Sequence, residues 1–530
     1  MGGFKDMPTM DDIPSLHLQI VHRCGQGETR WYDSPLLQTV RSPEATPTKF
    51  RPASRASDQP TIPSPDIFRS LTDEPPKSAT ALPTAGECAV HLELLEVFHA
   101  LRTRIISTRT LDWALGIRPA TKTVYRRTWV GHRKYENKPT TVKDPTFEER
   151  SRRKWRVYLE IAATRFIVWS EKIEALMRQV GGPHAEARIP HLPPLDILIV
   201  WHSFLLNPGD YQQFCGRHAL PYLKHAPFPW VQIHRAVDSS RTEFEYSMPK
   251  PAEEWFTEAT GLDGDLYGCI SFIGNHKPDS VVHKALKWYC GDAVGGLPTV
   301  YQCLSSYDVA AGKEPTDHAF LLLLVETEKR RHELLPLCQN VVRQGAFVDK
   351  MHAHLWIRSP AFGGTLSRAV DRYDNFTQLF RIKSGSIIVP TLDMDLAWHT
   401  HQLSHIRYKT AMEQIAGRFI DHNDKLGTQI LSHGEEFTRK AYESTFDEEY
   451  SRCLCWDCEA MLSAVMQDDE IATIDERWMK ETAEKVREDL QYYRCVEIER
   501  RRQKGSVTRL PVRQEETYAA SGSRPSKYLT

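Results

Sequence analysis

A fourteen-residue phrase occurs twice in this chain, and this repetition limits the folds that the chain can adopt. The first phrase is PPLDILIVWHSFLL at 193–206, and the second is PTLDMDLAWHTHQL at 390–403. Upstream, TRFIVW at 164–169 corresponds to DRYDNF at 371–376, which extends the similarity. Two copies of one supersecondary unit bury their apolar faces by packing together or by stacking in tandem. The repeat therefore predicts a duplicated building block.

Each phrase is expected to form a helix that starts near its proline. Proline is favoured at a helix start, and an aspartate there can cap the helix or complement its N-terminal charge. Helical spacing places the shared histidine among leucines. We interpret it as a buried, hydrogen-bonded residue, while a role as ligand or general base stays open. The motif residues are Asp196, Trp201, His202 and Tyr211 for the first phrase, and Asp393, Trp398, His399 and Tyr408 for the second.

Helical periodicity recurs along much of the chain and predicts a mainly α fold. From Cys88, one apolar stripe is flanked by His91 and His99, which we expect on a polar face. The predicted architecture is two related helix-loop-helix modules packed together, with minor β-structure in the connecting region. The predicted boundaries are a disordered Pro/Ser-rich region at 1–87, a first module at 88–260, a linker at 261–316, a second module with a cysteine cluster at 317–470, a charged helix at 471–510 and a tail at 511–530.

Charge and hydropathy limit the partners and the cellular location that we expect for this protein. Lysine and arginine number 68 against 69 acidic residues, so the net charge does not favour nucleic acid as a partner. No apolar run approaches the length of a membrane span, and the N-terminus lacks the apolar core of a signal peptide. These features predict a cytoplasmic protein, in which the 11 cysteines are thiols or metal ligands.

The second phrase contains one possible metal site. His401 and His405 are four residues apart, which lets two imidazoles of one helix reach a single zinc ion from consecutive turns. Gln402 stands where a zinc peptidase would have its glutamate base, so hydrolytic chemistry is disfavoured. The alternative is a packing face of histidines and aromatic residues.

A second possible zinc site is the sequence CLCWDC, which places Cys453, Cys455 and Cys458 within six residues. Thiolates are preferred zinc ligands, and the fourth ligand could be His422, His433 or Cys495. The alternative is that the three residues are buried thiols. DHND at 421–424 also offers a His-x-Asp pair, the kind of donor set found in non-haem iron sites.

Several motifs together resemble the glycine-rich domain-containing protein-like family of plants and fungi. They are LEVFHALR (95–102), both Trp-His phrases, DHNDK (421–425) and CLCWDCEA (453–460). The resemblance covers about residues 88–465 and implies the family's conserved module, whose biochemical activity is unknown. Only 28 of 530 residues are glycine, so the glycine-rich tail of the plant relatives has no counterpart here.

No complete catalytic constellation is visible, so no catalytic residue is assigned and the chain is not expected to be an enzyme. We predict a scaffold or regulatory interaction protein that binds protein partners. One alternative is a metal-dependent enzyme or zinc-stabilised module using the cysteine cluster or His399 and His401. Another is RNA binding through the basic stretches at 148–156 and 497–505, although interleaved glutamates favour a solvated helix face there.

Overall fold

The computed structural model describes residues 50–52, 61–72, 78, 80–131, 134–291, 296–307, 315–422, 425, 427–466, 476–502 and 511–513. This part of the chain is mainly helical, which confirms the predicted fold class, and its strands form three two-stranded sheets. Most of the region at 1–87 that we predict to be disordered lies outside the described residues. No described helix combines the length and the apolar character needed to cross a membrane.

The first half of the described chain alternates helices with short strands. Its elements are β1 (Phe50–Pro52), α1 (Ala85–Ser107), α2 (Arg109–Ala114), β2 (Thr121–Gly131), β3 (Lys134–Lys143), α3 (Phe147–Val180), α4 (Leu195–Leu205), α5 (Pro208–Arg217), α6 (Pro221–His225), α7 (Trp230–Ala236), β4 (Val237–Asp238) and β5 (Glu245–Tyr246).

The second half is helical apart from its last strand. Its elements are α8 (Lys250–Thr260), α9 (Leu266–His276), α10 (Val281–Cys290), α11 (Val300–Ser305), α12 (Pro315–Lys329), α13 (Arg331–His354), α14 (Phe362–Ile382), α15 (Leu392–Gln402), α16 (His405–Ile415), α17 (Thr428–Phe446), α18 (Trp456–Met466), α19 (Glu476–Arg502) and β6 (Pro511–Arg513). The last described helix, α19, lies within residues 471–510.

Helix α1 lies in the middle of the core. Thr84 and Glu87 start it with a capping box, in which each side chain accepts a hydrogen bond from the other residue's backbone N–H. The helix packs against α3, α7, α13, α14 and α15. It is therefore buried on every side from Cys88 to Phe98, rather than along one stripe. His91 is therefore buried, and the expectation that it lies on a polar face is wrong. His99 is half-buried and stacks on His352.

The strands and the connecting region differ from the prediction. β-structure was expected at 261–316, but the described residues of that segment form α9, α10 and α11, whose Ile270 and Leu286 join the core. The strands instead form a long hairpin of β2 with β3, a short pairing of β4 with β5, and a ladder of β1 with β6. Glycines and prolines at 261–316 thus separate short helices rather than strands.

Candidate functional site

A buried arginine holds each Trp-His helix at its first turn. Arg165 of α3 donates from Nε to Asp196 Oδ2 at 2.7 Å, and Arg372 of α14 does the same to Asp393 Oδ2 at 2.7 Å. All four side chains are almost fully buried. The aspartates thus pair with guanidinium groups inside the protein, where an unpaired charge would be strongly unfavourable. Pro194 and Thr391, not the aspartates, occupy the cap positions of α4 and α15.

The tryptophans of the two phrases make corresponding contacts. Trp201 Nε1 donates to the Tyr211 hydroxyl at 3.5 Å, and Trp398 Nε1 donates to the Tyr408 hydroxyl at 3.0 Å. Tyr211 in turn donates to the carbonyl of Leu223, and Tyr408 to that of Ile420. The indole and phenol groups are therefore hydrogen-bonded inside the core, as buried aromatic residues with polar atoms usually are.

The two phrases meet at His91, which the sequence predicted to lie on a polar face. His91 Nδ1 lies 2.9 Å from Thr400 Oγ1, and His91 Nε2 lies 2.9 Å from His202 Nε2. Thr400 donates its own proton to Leu396 O, so its oxygen must accept from His91 Nδ1–H. His91 Nε2 then accepts from His202 Nε2–H. This chain of hydrogen bonds links α1, α4 and α15.

Burial keeps these two imidazoles neutral. It lowers the pKa of His202 to about 3, with a smaller contribution from His399. Burial also lowers the pKa of His91 well below its ordinary value, and His202 and His399 add to the effect. A base with so low a pKa takes up a proton poorly near neutral pH. The geometry therefore favours a structural role for His202 over general-base catalysis.

The histidine of the second phrase lies in a different cluster. His399 Nε2 is 3.3 Å from Asp395 Oδ1 and 3.4 Å from His422 Nε2, and the three ligand atoms all lie within 4.8 Å of one another. His422 Nδ1 donates to Leu206 O at 2.9 Å. Burial raises the pKa of Asp395 to about 6, although its side chain remains 24% exposed. Sequence reasoning missed Asp395, although its spacing of four residues from His399 was a usable signal.

His401 and His405 do not share a helix. Helix α15 ends at Gln402, and α16 starts at His405, so the expectation of consecutive turns is wrong. His401 Nδ1 lies 3.0 Å from the Tyr373 hydroxyl, and the ring of His405 packs against Tyr211. Neither the Tyr373 nor the Tyr211 contact supplies a shared metal ligand. The two residues form the alternative that the sequence left open, a buried face of histidines and aromatic rings.

The three clustered cysteines are brought together. Cys453, Cys455 and Cys458 are buried, and their sulfur atoms lie within 4.8 Å of one another, so they could hold a metal ion. Hydrogen bonds with Cys453 and Cys455 raise the pKa of the Cys458 thiol. Two indoles fix this segment to the end of α13: Trp356 Nε1 donates to Leu454 O, and Trp456 Nε1 donates to His354 O, each at 2.8 Å.

None of the three residues proposed as a fourth ligand belongs to the group formed by the three cysteines. His422 is in the cluster with Asp395 and His399. His433 is exposed on α17, where its Nδ1 donates to Gln429 O at 2.7 Å. Cys495 is half-buried on α19, and burial raises its pKa to about 11. The described residues therefore offer three thiols at this place without a fourth ligand in the same group.

The hairpin of β2 and β3 is exposed along nearly its whole length, and sequence reasoning missed it. Tyr125 is 71% exposed and Trp129 is 52% exposed, and Tyr135 lies between Trp129 and Arg127. By contrast, several basic residues expected on solvated helix faces are in fact buried. They are Arg150, Lys154 and Arg500.

Comparison with known protein families gives a match to the region around the second phrase. The profile of the family described as "Glycine-rich domain-containing protein-like" matches residues 325–411, from α12 to α16. Residues 325–411 belong to the glycine-rich domain-containing protein-like family. The matched region contains Asp393, Trp398 and His399, so the family profile includes the second Trp-His helix.

Two relatives from Arabidopsis thaliana carry the family's name. Glycine-rich domain-containing protein 2 is 34% identical over 270 residues, which are 49% of this chain and 26% of that protein. Glycine-rich domain-containing protein 1 is 33% identical over 125 residues, which are 22% of this chain and 14% of that protein. The aligned part is thus about a quarter or less of each relative. No solved structure matches the chain.

Proposed function

We propose that this member of the glycine-rich domain-containing protein-like family is a non-enzymatic scaffold in the cytoplasm, whose exposed hairpin binds an acidic segment of a partner protein. The hairpin of β2 and β3 is the observation that carries this proposal. Two duplicated helical units would supply the rigid body that holds it.

Corresponding contacts in the two phrases support the duplicated body. The Arg-Asp pair, the Trp-Tyr hydrogen bond and the tyrosine-to-carbonyl hydrogen bond each occur once in α3 to α6 and once from α14 to residue 420. A cavity of about 860 Å³ is lined by Tyr158, Arg241 and Asp196 of the first phrase, among others, but by neither phrase histidine. Because neither phrase histidine faces this cavity, a structural role suits both histidines.

Charge complementarity supports an acidic partner. Strands β2 and β3 carry six basic side chains against one acidic side chain, although the whole chain is nearly neutral. The basic residues are Lys122, Arg126, Arg127, Lys134, Lys138 and Lys143, and the acidic one is Glu136. Such a concentrated positive field attracts anionic partners and accelerates their association.

The open strand edges support an extended protein segment. The hairpin has two strands, so each has an outer edge without a described strand partner. Unpaired N–H and C=O groups at an edge can add a further strand, with affinity from backbone hydrogen bonds and specificity from alternating side chains. An acidic peptide that alternates glutamate with valine would match both the edge and the charge.

Fluorescence anisotropy of the full chain can test this proposal. The probes are a labelled peptide of alternating glutamate and valine and a labelled oligouridylate. Replacing two hairpin arginines, in R126E/R127E, should weaken peptide binding roughly tenfold or more. The matched control K250E/R217E reverses two exposed charges elsewhere and should retain binding.

Two outcomes would overturn the acidic-peptide proposal. One is peptide binding that is absent or that both double variants weaken equally. The other is tight, salt-sensitive binding of the oligouridylate alone, lost in R126E/R127E, which would assign RNA binding to the hairpin instead.

A second candidate function is a zinc-stabilised module at Cys453, Cys455 and Cys458. Three converging buried thiols favour it, because a metal ion would stabilise the thiolates that otherwise repel one another. Cys455→Ala should then remove the thiolate absorption of the cobalt-loaded chain and lower its melting temperature in zinc. Cys215→Ala, at another buried thiol, serves as control. Identical cobalt spectra for both variants would exclude the module.

A further inference from the structure

The cluster of Asp395, His399 and His422 has the spacing of metal ligands. His399 Nε2 lies 3.3 Å from Asp395 Oδ1 and 3.4 Å from His422 Nε2. In a tetrahedral zinc site with bonds of about 2.0 to 2.1 Å, neighbouring ligand atoms are about 3.3 to 3.4 Å apart. Ligands at right angles around an octahedral ion with the same bonds would be about 2.9 Å apart. These two separations match the tetrahedral value.

Hydrogen bonding explains this arrangement less well. His422 Nδ1–H donates to Leu206 O at 2.9 Å, so His422 Nε2 presents a lone pair to His399. Within this cluster, a proton on His399 Nε2 would face His422 Nε2 and Asp395 Oδ1, and both lie beyond the usual hydrogen-bond distance of about 3.2 Å. A cation at the centre would instead use one lone pair from each of the three atoms.

The surroundings of the cluster also suit a metal site. Histidine ligands commonly donate their second N–H to a backbone carbonyl, which fixes the tautomer, and the hydrogen bond from His422 to Leu206 is of this kind. The ring of Phe347 packs 4.4 Å from that of His399, and the ring of Trp398 packs 5.2 Å from that of His422. These apolar neighbours limit water on one side, while partly exposed Asp395 leaves the other side open.

We propose that Asp395, His399 and His422 bind one zinc ion, with water as the fourth ligand. Two imidazoles and a carboxylate occur in both zinc and non-haem iron sites, and the tetrahedral separations favour zinc, which takes four ligands. The ion would join α15 to the segment after α16, and through the Leu206 carbonyl it would be connected to the end of α4. The inference assigns metal binding and no reaction, and it does not depend on the hairpin.

The first phrase supplies an internal comparison. The same offset of 197 residues that pairs His202 with His399 pairs His225 with His422, but it pairs Leu198 with Asp395. His225 Nδ1 donates to Pro221 O at 2.7 Å, and its ring packs on His184. His202 is bonded to His91. The first phrase thus lacks the carboxylate, and its histidines have other contacts, so the zinc site is specific to the second phrase.

Cobalt loading of the purified full chain tests the proposal. Cobalt bound by nitrogen and oxygen ligands gives weak visible bands, whereas thiolate ligation adds strong near-ultraviolet charge transfer, so the cysteine cluster is distinguished. Asp395→Asn keeps the side-chain shape and Asp395→Leu copies the first phrase. Each variant should weaken cobalt binding at the nitrogen and oxygen site by more than about 100-fold. Loss of a group that only hydrogen-bonds to a ligand weakens metal binding by up to roughly 100-fold.

The controls separate loss of a ligand from loss of the fold. His225→Ala removes the corresponding histidine of the first phrase and should leave the visible bands unchanged. Melting temperatures measured with a chelator should be similar for Asp395→Asn and the unsubstituted chain. The proposal is overturned if the unsubstituted chain shows no visible bands from nitrogen and oxygen ligation, or if these bands persist at equal affinity in Asp395→Asn.

Discussion

Neighbouring groups give the buried histidines of this protein different roles. His202 shares a hydrogen bond with His91, and His399 faces Asp395 and His422. Among the described residues, neither ring nitrogen of His405 has a hydrogen-bond partner, although the ring is buried. A buried polar atom without a partner is costly, so His405 should reduce stability.

Replacement of His405 should change how stability depends on pH. Burial, followed by the charges of Lys224, Lys409 and His225, lowers the pKa of His405 to about 4. Below pH 6.5 the unfolded chain therefore binds a proton that the folded chain does not, and stability falls as the pH falls from 6.5 towards 4. At pH 5 this effect lowers the free energy of unfolding of the unsubstituted chain by about 2 kcal/mol, and His405→Leu should remove that loss.

Urea denaturation of the unsubstituted chain and the variant at pH 7.5 and pH 5 measures this effect. His332→Leu, at an exposed histidine, is the matched control and should leave the pH dependence as it was. Parallel losses of stability for His405→Leu and the unsubstituted chain between the two pH values would contradict the prediction.

The sequence was informative about some residues and silent about others. Leucine spacing placed His202 and His399 in apolar surroundings, and both side chains are buried. The importance of His91 could not be seen, because it depends on contacts 111 and 309 residues away. Asp395 was likewise missed, since its partner His422 comes from a separate segment. The spacing of residues in the sequence predicts which side chains are buried, but not which side chains from distant segments come together.

At the scale of elements, the β2–β3 hairpin is almost independent of the body. Nearly all its residues are exposed on both faces, and Asp144 N donates to Ala120 O at 2.8 Å across its base. An isolated hairpin is marginally stable in water, so this element contributes little to the core.

Excision of the hairpin should therefore leave the fold intact. In a variant that joins residue 120 to residue 144 through a short glycine-containing turn, the melting temperature should change by no more than about 2 °C, since few core contacts are lost. Circular dichroism on heating measures this. A control that removes Phe256 by substitution with alanine, a buried core residue, should lower the melting temperature by more. A large loss on hairpin excision would show that the body depends on the hairpin.

Element type was predictable for long helices and less so for short segments. The apolar spacing of α1 and the charge pattern of α19 indicate helices from the sequence alone. The sequence does not show the break between Gln402 and His405, because the residues of α15 and α16 continue one helical pattern. The hairpin was missed because its Thr, Val and Tyr residues are interleaved with basic residues that resemble a solvated helix.

At the scale of the whole molecule, one core includes both predicted modules. A single cluster of buried residues runs from Phe68 to Leu454, and α13 packs against α1, α3 and α4. The predicted division at 261–316 thus does not coincide with a gap in the core. Apolar periodicity identifies which faces are buried but not which helix buries them, so the number of cores could not be read from the sequence.

Separate expression of residues 1–307 and 308–530 tests this shared core. Each fragment alone would expose apolar faces that the other covers, so neither should unfold cooperatively. Mixing the two should restore the near-ultraviolet circular dichroism of the intact chain. The prediction fails if one fragment alone melts cooperatively at the temperature of the intact protein.

The ladder between β1 and β6 affects how the protein would respond to proteolysis. Residues 50–52 pair with residues 511–513, and Ile62 O accepts hydrogen bonds from Arg358 and Arg500. Early and late parts of the chain are thereby fastened to each other and to the middle. A single cut in a surface loop would leave a nicked particle of unchanged size under native conditions, and the pieces would separate only in denaturant.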